Sequence, residues 1–300
     1  MPKDYNAPVV QPWNVTHFGE RPRTRFVDWL DAVEVEVRHG PDTRRVLRGM
    51  QEMKEASYSP DWDLMMERAD AAEADGDTGV LHLGLEVPSF LFVIRGVSRV
   101  MTHQIVRQRI GITYAQKCTG DGDIRHDDVL VPRSFNRPGN EGLLEWYIRF
   151  NLDFKEMYAE QVDMNRVSWH SLRYAMPHGL SQYIYLNATL LTLKDIYGKR
   201  TCPEQPIEWQ TICARLKKAM VNAGYGVFAN ALTSNCDSRS CHWHRRGVND
   251  PLIGRIYWPD AEHDTGQWNP ASFIHGGTVA DVQGGPPFTT REYDGRERVR

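Results

Sequence analysis

The stretch Phe92–Gly120, FVIRGVSRVMTHQIVRQRIGITYAQKCTG, changes character twice along its length. A β-prone apolar run reaches Gly96, which should end the strand. Val97, Val100, Met101 and Ile105 then recur at i, i+3, i+4 and i+8, which predicts an amphipathic helix over 97–109. The other face of that helix carries His103, Gln104, Arg107 and Gln108. From Gly111 to His126, with Gly120, Asp121, Gly122 and Asp123 near the middle, the chain reads as a loop. Arg107 and Arg109 thus stand at a helix end, as permanent cations whose planar donor forks suit a phosphate or an anionic ring. Gln104 lies one turn before Arg107, so an amide and a guanidinium share a face. Spacing alone also allows a simpler reading, in which both arginines are solvated charges capping the helix.

Working outward, Leu85–Ile94 is dense in Leu, Val, Phe and Ile and reads as a buried strand, with Pro88 fitting only an edge or a bulge. The run Asp61–Asp75 has helical composition and is ended by Gly76, Asp77 and Gly79. The first 40 residues are rich in Pro, Arg and Trp without clear periodicity, which suggests an irregular arm. Downstream, Leu144, Tyr147, Ile148, Phe154, Met157 and Tyr158 fit a long amphipathic helix running toward Arg173, with Pro177 as its stop. Gln182–Leu186 is short and β-prone, Asn187 sits as an N-cap ahead of ATLLTLKDIYG, and Trp209, Ile212, Cys213, Leu216 and Met220 mark a further helix. From about Asn235 the chain turns rich in Gly, Pro, Trp and His. The expected organisation is a core unit over 1–235, including the N-terminal arm, and an extension over 236–300 wrapped on it.

Composition narrows the function. Lys and Arg number 36 against 39 Asp and Glu, a net charge of −3, which gives no general pull toward nucleic acid or anionic membrane. The longest apolar runs fall far short of the roughly 20 residues that span a bilayer. The opening MPKDYNAPVV lacks an apolar h-region, and five cysteines at 118, 202, 213, 236 and 241 do not form an extracellular disulfide pattern. These features predict a cytoplasmic, reduced enzyme with no nucleic-acid or membrane partner.

Three blocks resemble the flavin-dependent thymidylate synthases, the ThyX family. Arg107, Gln108 and Arg109 stand at the family's Arg-His-Arg positions, and Thr113-Tyr114-Ala115-Gln116 continues the match. Leu172-Arg173-Tyr174-Ala175-Met176-Pro177 resembles the family's Ala-Arg-x-x-Leu-Pro. Asn187, Arg200 and Glu208 resemble its late Asn, Arg and Glu pattern. Gln108 replaces the middle histidine, Lys117 and Cys118 occupy the stretch of the nucleotide-contacting serine, and Gly120 stands where the family has arginine. Arg125 is a candidate to restore that missing cation. The pattern is most like the family's nucleoside-antibiotic branch, which methylates UMP or dUMP.

The resemblance implies an α+β fold, a mixed sheet packed with helices, and a homotetramer with active sites between chains, to which the terminal arms would add. It implies FAD reduced by NADPH, with 5,10-methylenetetrahydrofolate supplying one carbon to C5 of UMP or dUMP. Arg200 and Arg173 are the expected catalytic residues, with Arg200 at the uracil edge. Gln116, Lys117 and Cys118 would join Arg173 around ribose and phosphate, assisted by Gln104. Arg107, Gln108, Arg109 and Ile110 would contact the flavin, with Asn187 on its adenine or ribose side and His82 nearby. Rival readings are a nucleotide hydroxymethylase and a flavin-free nucleotide- or RNA-binding module.

Two further groups carry reactive side chains. Cys118 beside Lys117 could act as a thiolate nucleophile, but the Pro-Cys-His setting of cysteine-dependent synthases is absent, which favours a phosphate-loop role. Cys236, Cys241, His242 and His244 lie close together without the usual zinc-ligand spacing, so no metal is expected.

Overall fold

The computed structural model describes residues 21–59, 61–75, 79–118, 123–164, 169–202, 205–235 and 287–294. The segment expected to be an irregular arm contains strands β1 (Arg23–Asp28) and β2 (Glu34–His39) around one helical turn, α1 (Trp29–Ala32). Glu34-Val35-Glu36-Val37 alternates with period two, the pattern of a strand with one wet face. Helices α2 (Thr43–Ala56) and α3 (Trp62–Ala74) follow, each opened by an aspartate, Asp42 and Asp61, whose side chain accepts a backbone N–H of the first turn.

Strand β3 (Ser89–Ser98) starts just after Pro88, which removes the difficulty that proline posed. It also runs through Gly96 instead of ending there. Gly96 has φ of +69°, and a Cβ on it would lie 1.8 Å from the Ala32 carbonyl oxygen, so glycine permits a bulge and a close backbone approach without ending the strand. Ser98 then caps helix α4 (Arg99–Ile105), which is shorter than the expected 97–109, so Arg107 and Arg109 lie beyond its end. Part of the expected loop is strand β4 (Ile112–Gln116). Strand β5 (Val129–Val131) and the long helix α5 (Glu141–Asp163) come next, then the short helix α6 (Trp169–Leu172). Helix α5 stops ten residues before Arg173, which lies instead on a 3-10 turn, Arg173–Ala175.

Strand β6 (Ser181–Thr189) includes Asn187, so the cap of α7 (Leu190–Arg200) is Thr189, whose hydroxyl accepts the Thr192 N–H. Helices α8 (Ile207–Asn222) and α9 (Gly226–Asn230) and strand β7 (Arg291–Asp294) complete the described elements. The strands form two sheets, ordered β2-β3-β6-β4 and β5-β1-β7; β5 is parallel to β1, and the other pairings are antiparallel.

On the larger sheet, Phe90, Phe92 and Ile94 of β3 and Ile184, Leu186 and Ala188 of β6 point to one side, where α4, α7, α8 and α9 cover them. The opposite face presents Tyr183, Tyr185 and Asn187 of β6 beside Thr113 and Ala115 of β4. The smaller sheet packs Phe26, Val129 and Val131 against Leu144, Ile148, Phe154 and Tyr158 of α5. No helix of the described residues is long and apolar enough to cross a membrane.

Candidate functional site

The ends of α4, α7 and the start of α8 meet around one indole. Trp209 donates its Nε1–H to the Gln104 amide oxygen at 2.9 Å, and the Arg200 guanidinium lies over the same ring at 5.0 Å. Arg200 also donates to the Gln205 side chain. The contact works because the indole offers a polar edge and an electron-rich face at once. Next to it, both carboxylate oxygens of Glu208 accept from Ser98, the backbone N–H at 2.7 Å and the hydroxyl at 2.8 Å. Burial pushes the Glu208 carboxyl up to about 7, with the two Ser98 donors opposing it. Ser98 and Glu208 therefore lock the starts of α4 and α8 together.

Of the sequence-predicted residues, Gln104 and Arg200 converge on Trp209. Arg107 follows through its backbone N–H to the Gln104 carbonyl, 3.3 Å. The Gln108 carbonyl accepts the Tyr114 hydroxyl at 2.8 Å, and the Ile110 carbonyl accepts the Thr192 hydroxyl at 2.9 Å. Arg107, Arg109 and Ile110 are exposed, Ile110 to 89%. Asn187 sits in the exposed row of β6 across from Thr113, a strand position in place of the expected helix cap.

Lys117 departs from its expected role. Its ammonium donates to Asp127 at 2.6 Å, so it is a paired charge at the end of β4. Asp127 in turn meets Lys155, which is buried and donates to the carbonyls of Arg125, at 3.3 Å, and Asp127. Burial brings the Lys155 ammonium down to about 8 and lifts the Asp127 carboxyl above its ordinary range, although the two cations pull Asp127 the other way. Arg125 does not replace the missing family arginine. It is 0% exposed and paired with Asp123 and Asp163, a structural cation tying its loop to α5.

Cys118 is exposed and free. Arg173 is exposed with its guanidinium 5.7 Å from the Tyr174 ring centre. Gln116 pairs with Ile184 in the β4–β6 ladder. His82 lines a shallow cavity of about 270 Å³ with Met53, Lys54, Ser57, Tyr58 and Leu83, none of them another predicted site residue. The cysteine and histidine cluster at 236–244, and Gly120, lie outside the described residues.

Residues 82–223 match the family model described as thymidylate synthase complementing protein, Thy1. This segment is thus similar to the Thy1 family over slightly less than half of the chain. The Thy1 segment runs from the 3-10 turn before β3 to the end of α8, so it contains the Trp209 cluster and both sides of the β4–β6 ladder. Among curated relatives, the flavin-dependent thymidylate synthase of Pyrococcus furiosus is 26% identical over 140 residues, covering 45% of this chain and 56% of the relative. That of Pyrococcus horikoshii is 30% identical over 130 residues, covering 42% and 51%. The chain thus spans about half the length of the curated relatives it matches. A crystal structure of a UMP/dUMP methylase, PolB, from Streptomyces cacaoi bound with 5-Br dUMP superposes with a TM-score of 0.52 at 11% identity. It covers 69% of this chain and 95% of that one, a likeness of fold.

The Thy1 segment suits a flavin nucleotide. Arg107 and Arg109 offer exposed forks for phosphate, Ile110 offers an exposed apolar side chain, and Asn187 offers an amide on an open sheet face. Sequence reading missed Ser98, Trp209 and Asp127 as site-building residues. Ser98 carried a visible signal, since a serine opening an apolar-periodic run is an N-cap. Trp209 read only as one member of a helix stripe.

Proposed function

We propose that this protein is a flavin-dependent methyltransferase that adds a methyl group to C5 of UMP or dUMP, with methylenetetrahydrofolate as carbon donor. FAD, reduced by NADPH, would supply the hydride that completes the methyl group. Arg107, Gln108, Arg109, Ile110, Asn187 and His82 would hold it.

The observation that carries the reading is the joining of Gln104 and Arg200 through Trp209 inside the Thy1 segment. Uracil C5 is a poor nucleophile, and a fixed cation at the ring oxygens favours negative charge on the ring without reorganising during reaction. Arg200, held by Trp209 and Gln205, is such a cation. Arg173, Gln116 and Cys118 would grip ribose and phosphate. Lys117, already bound to Asp127, would act by holding the 116–118 backbone against the 123–128 loop. Exposure of Arg107, Arg109, Ile110 and Arg173 in a single chain supports a homotetramer whose sites close between subunits.

The test is release of the C5 hydrogen from UMP and dUMP in parallel, with NADPH and methylenetetrahydrofolate omitted in turn and the product weighed by mass spectrometry. Release that depends on both, with a methylated product, is expected. A protein that purifies without flavin absorption and releases no C5 hydrogen overturns the reading, and a hydroxymethylated product redirects it to the hydroxymethylase chemistry.

A further inference from the structure

Helix α5 is apolar on two sides. Leu144, Ile148, Phe154 and Tyr158 face the smaller core. On the outer side Leu143, Trp146 and Phe150 recur at i, i+3 and i+7, and all three are exposed, Trp146 to 58%. The Trp146 and Phe150 rings are stacked, with 5.5 Å between centres and 13° between planes. Among the described residues, none of the three belongs to either core cluster. Glu145, Arg149 and Asp153 are exposed beside them, so an apolar stripe stands inside a charged rim. Scattered apolar side chains on a surface need no partner, but a contiguous, rimmed set marks a surface that something covers.

The path of the chain points to what covers it. The Asn235 backbone N–H donates to the Gly198 carbonyl at 3.1 Å, beside the end of α7. Residues 236–286 lie outside the described residues, and description resumes at Pro287, whose carbonyl accepts the Asn136 side-chain amide at 3.0 Å. Phe135, next to Asn136, meets Tyr147 edge-on at 5.1 Å, and Tyr147 directly follows Trp146. The 236–286 segment is therefore anchored, at its C-terminal end, next to the turn of α5 that carries the stripe. The 1–20 segment enters at the other end of β1, where the Arg23 N–H meets His126 and Arg23 pairs with Asp294.

Reading back from the Pro287 anchor, the first run that carries aromatic side chains is WNPASFI, residues 268–274. From Ile274 to Pro287 the chain spans at most about 43 Å, whereas Leu143 to Phe150 occupies only about 10 Å of helix. Reach is therefore ample. We propose that the 268–274 stretch docks on the outer face of α5, with Trp268, Phe273 and Ile274 against Leu143, Trp146 and Phe150. Three large apolar side chains meet three, and contact with further aromatic rings takes the outer faces of the stacked pair out of water. The docking does not depend on the reaction the protein catalyses.

The test places p-benzoylphenylalanine at position 146 of the full-length chain, irradiates dilute protein and maps the adduct by mass spectrometry. An adduct to 268–274 within one chain is expected. An adduct to residues 1–20, to another part of 236–286, or between two chains overturns the proposal. Melting temperatures of Phe150→Ser, Phe273→Ser and the double variant give a second readout, and Phe150 lies outside both cores, so its variant folds. At an uncovered position the change would leave melting near that of the wild type. Each single variant should instead melt about 2–4 °C lower. The double variant should fall no further than the weaker single, because both changes break one contact. Where no such adduct forms, coupled losses sustain the proposal, and additive losses or unchanged melting overturn it.

Discussion

Trp209 and Gln104, separated by 105 positions in the chain, are joined by an indole N–H to amide hydrogen bond of 2.9 Å, and Arg200 lies over the same indole. This contact sets where the strongest candidate ring-facing cation sits. Trp209→Phe keeps an aromatic face and removes the N–H. The expected result is a stability loss of about 1 kcal/mol, the net worth of one hydrogen bond, with a raised KM for nucleotide because Gln104 loses its anchor. Trp209→Leu also removes the π-face and should cost a further 0.5–2 kcal/mol or so. Urea unfolding and steady-state kinetics of the two variants check this, and equal behaviour would show that the ring face under Arg200 does nothing.

Glu208 predicts a pH-dependent stability of definite sign. Its folded-state pKa, near 7, is raised above its ordinary value because burial penalises the ionised carboxyl. The folded protein therefore holds the proton more tightly than the unfolded chain does. The stabilisation is fully present below the unfolded pKa and is lost as pH rises through the folded one, a change of about 3 kcal/mol. Glu208→Gln cannot titrate. The stability difference between wild type and variant should therefore move in the variant's favour between about pH 5 and about pH 8. Parallel pH profiles for the two proteins would contradict the assignment.

The 116–118 backbone depends on one ion pair and on a buried ammonium beneath it. Lys117 binds Asp127, and Lys155 fixes the carbonyls around Asp127 from the buried side of α5. Asp127→Asn removes the ion-pair partner of Lys117 and leaves the backbone carbonyl that Lys155 binds, and should cost about 1–3 kcal/mol. Lys155→Met keeps the packing of the stem and leaves the carbonyls without their donor, for about 1–3 kcal/mol. Thermal unfolding reads both. If these contacts position the substrate loop, Lys117→Ala should raise KM for nucleotide with a smaller change in kcat.

The helices with long regular periods were legible from the sequence, as α5 and α8 show, because many apolar side chains repeat on one face. Short elements were harder. Glu34–Val37 carried a strand signal of only two alternations, within a segment whose Pro, Arg and Trp content hid it. Gly96 read as a stop because glycine is permissive in both senses, and only the approach of the Ala32 carbonyl shows that it serves a bulge inside β3. Of the residues in the quoted blocks, Gln104 and Arg200 are the two that the fold brings to one indole. The supports of that site were not visible, since Ser98 and Glu208 meet across 110 positions and Trp209 reaches Gln104 across 105. Asn187 reads as a cap because amides cap helices well, but two residues later Thr189 offers the same chemistry at the actual helix start.

Gly96→Ala follows from the same geometry. At φ +69° an alanine is strained wherever it sits, and its Cβ would overlap the Ala32 carbonyl, a backbone atom that cannot rotate away. The turn α1 would have to move off β3. A loss of at least 2–4 kcal/mol or so, or failure to fold, is expected from combined strain and overpacking. Circular dichroism and denaturant unfolding measure it, and near-wild-type stability would mean that the bulge is not held as described.

The last prediction concerns the C-terminal strand. β7 pairs antiparallel with β1, Phe288 is 4% exposed in the smaller core, and its backbone N–H donates to Asp28 Oδ2 at 2.9 Å. The same carboxylate receives Arg133 Nε at 2.9 Å and caps α1 through the Leu30 N–H, also 2.9 Å. Asp28 is thus a buried anion satisfied from three separate segments, and removing any donor leaves it under-compensated. Ending the chain at residue 286 removes the Phe288 donor, opens the outer edge of β1 and uncovers Phe26, which Tyr293 meets edge-on at 5.5 Å. Lost burial of Phe288 alone is worth about 2–3 kcal/mol, and the bare strand edge should promote self-association. The expected outcome is a lower melting temperature with greater aggregation, while the flavin bands persist because the larger sheet is intact. Restoration of stability by a peptide spanning 287–294 would confirm that the strand acts by docking. Unchanged melting after truncation would show that β1 holds its place without it.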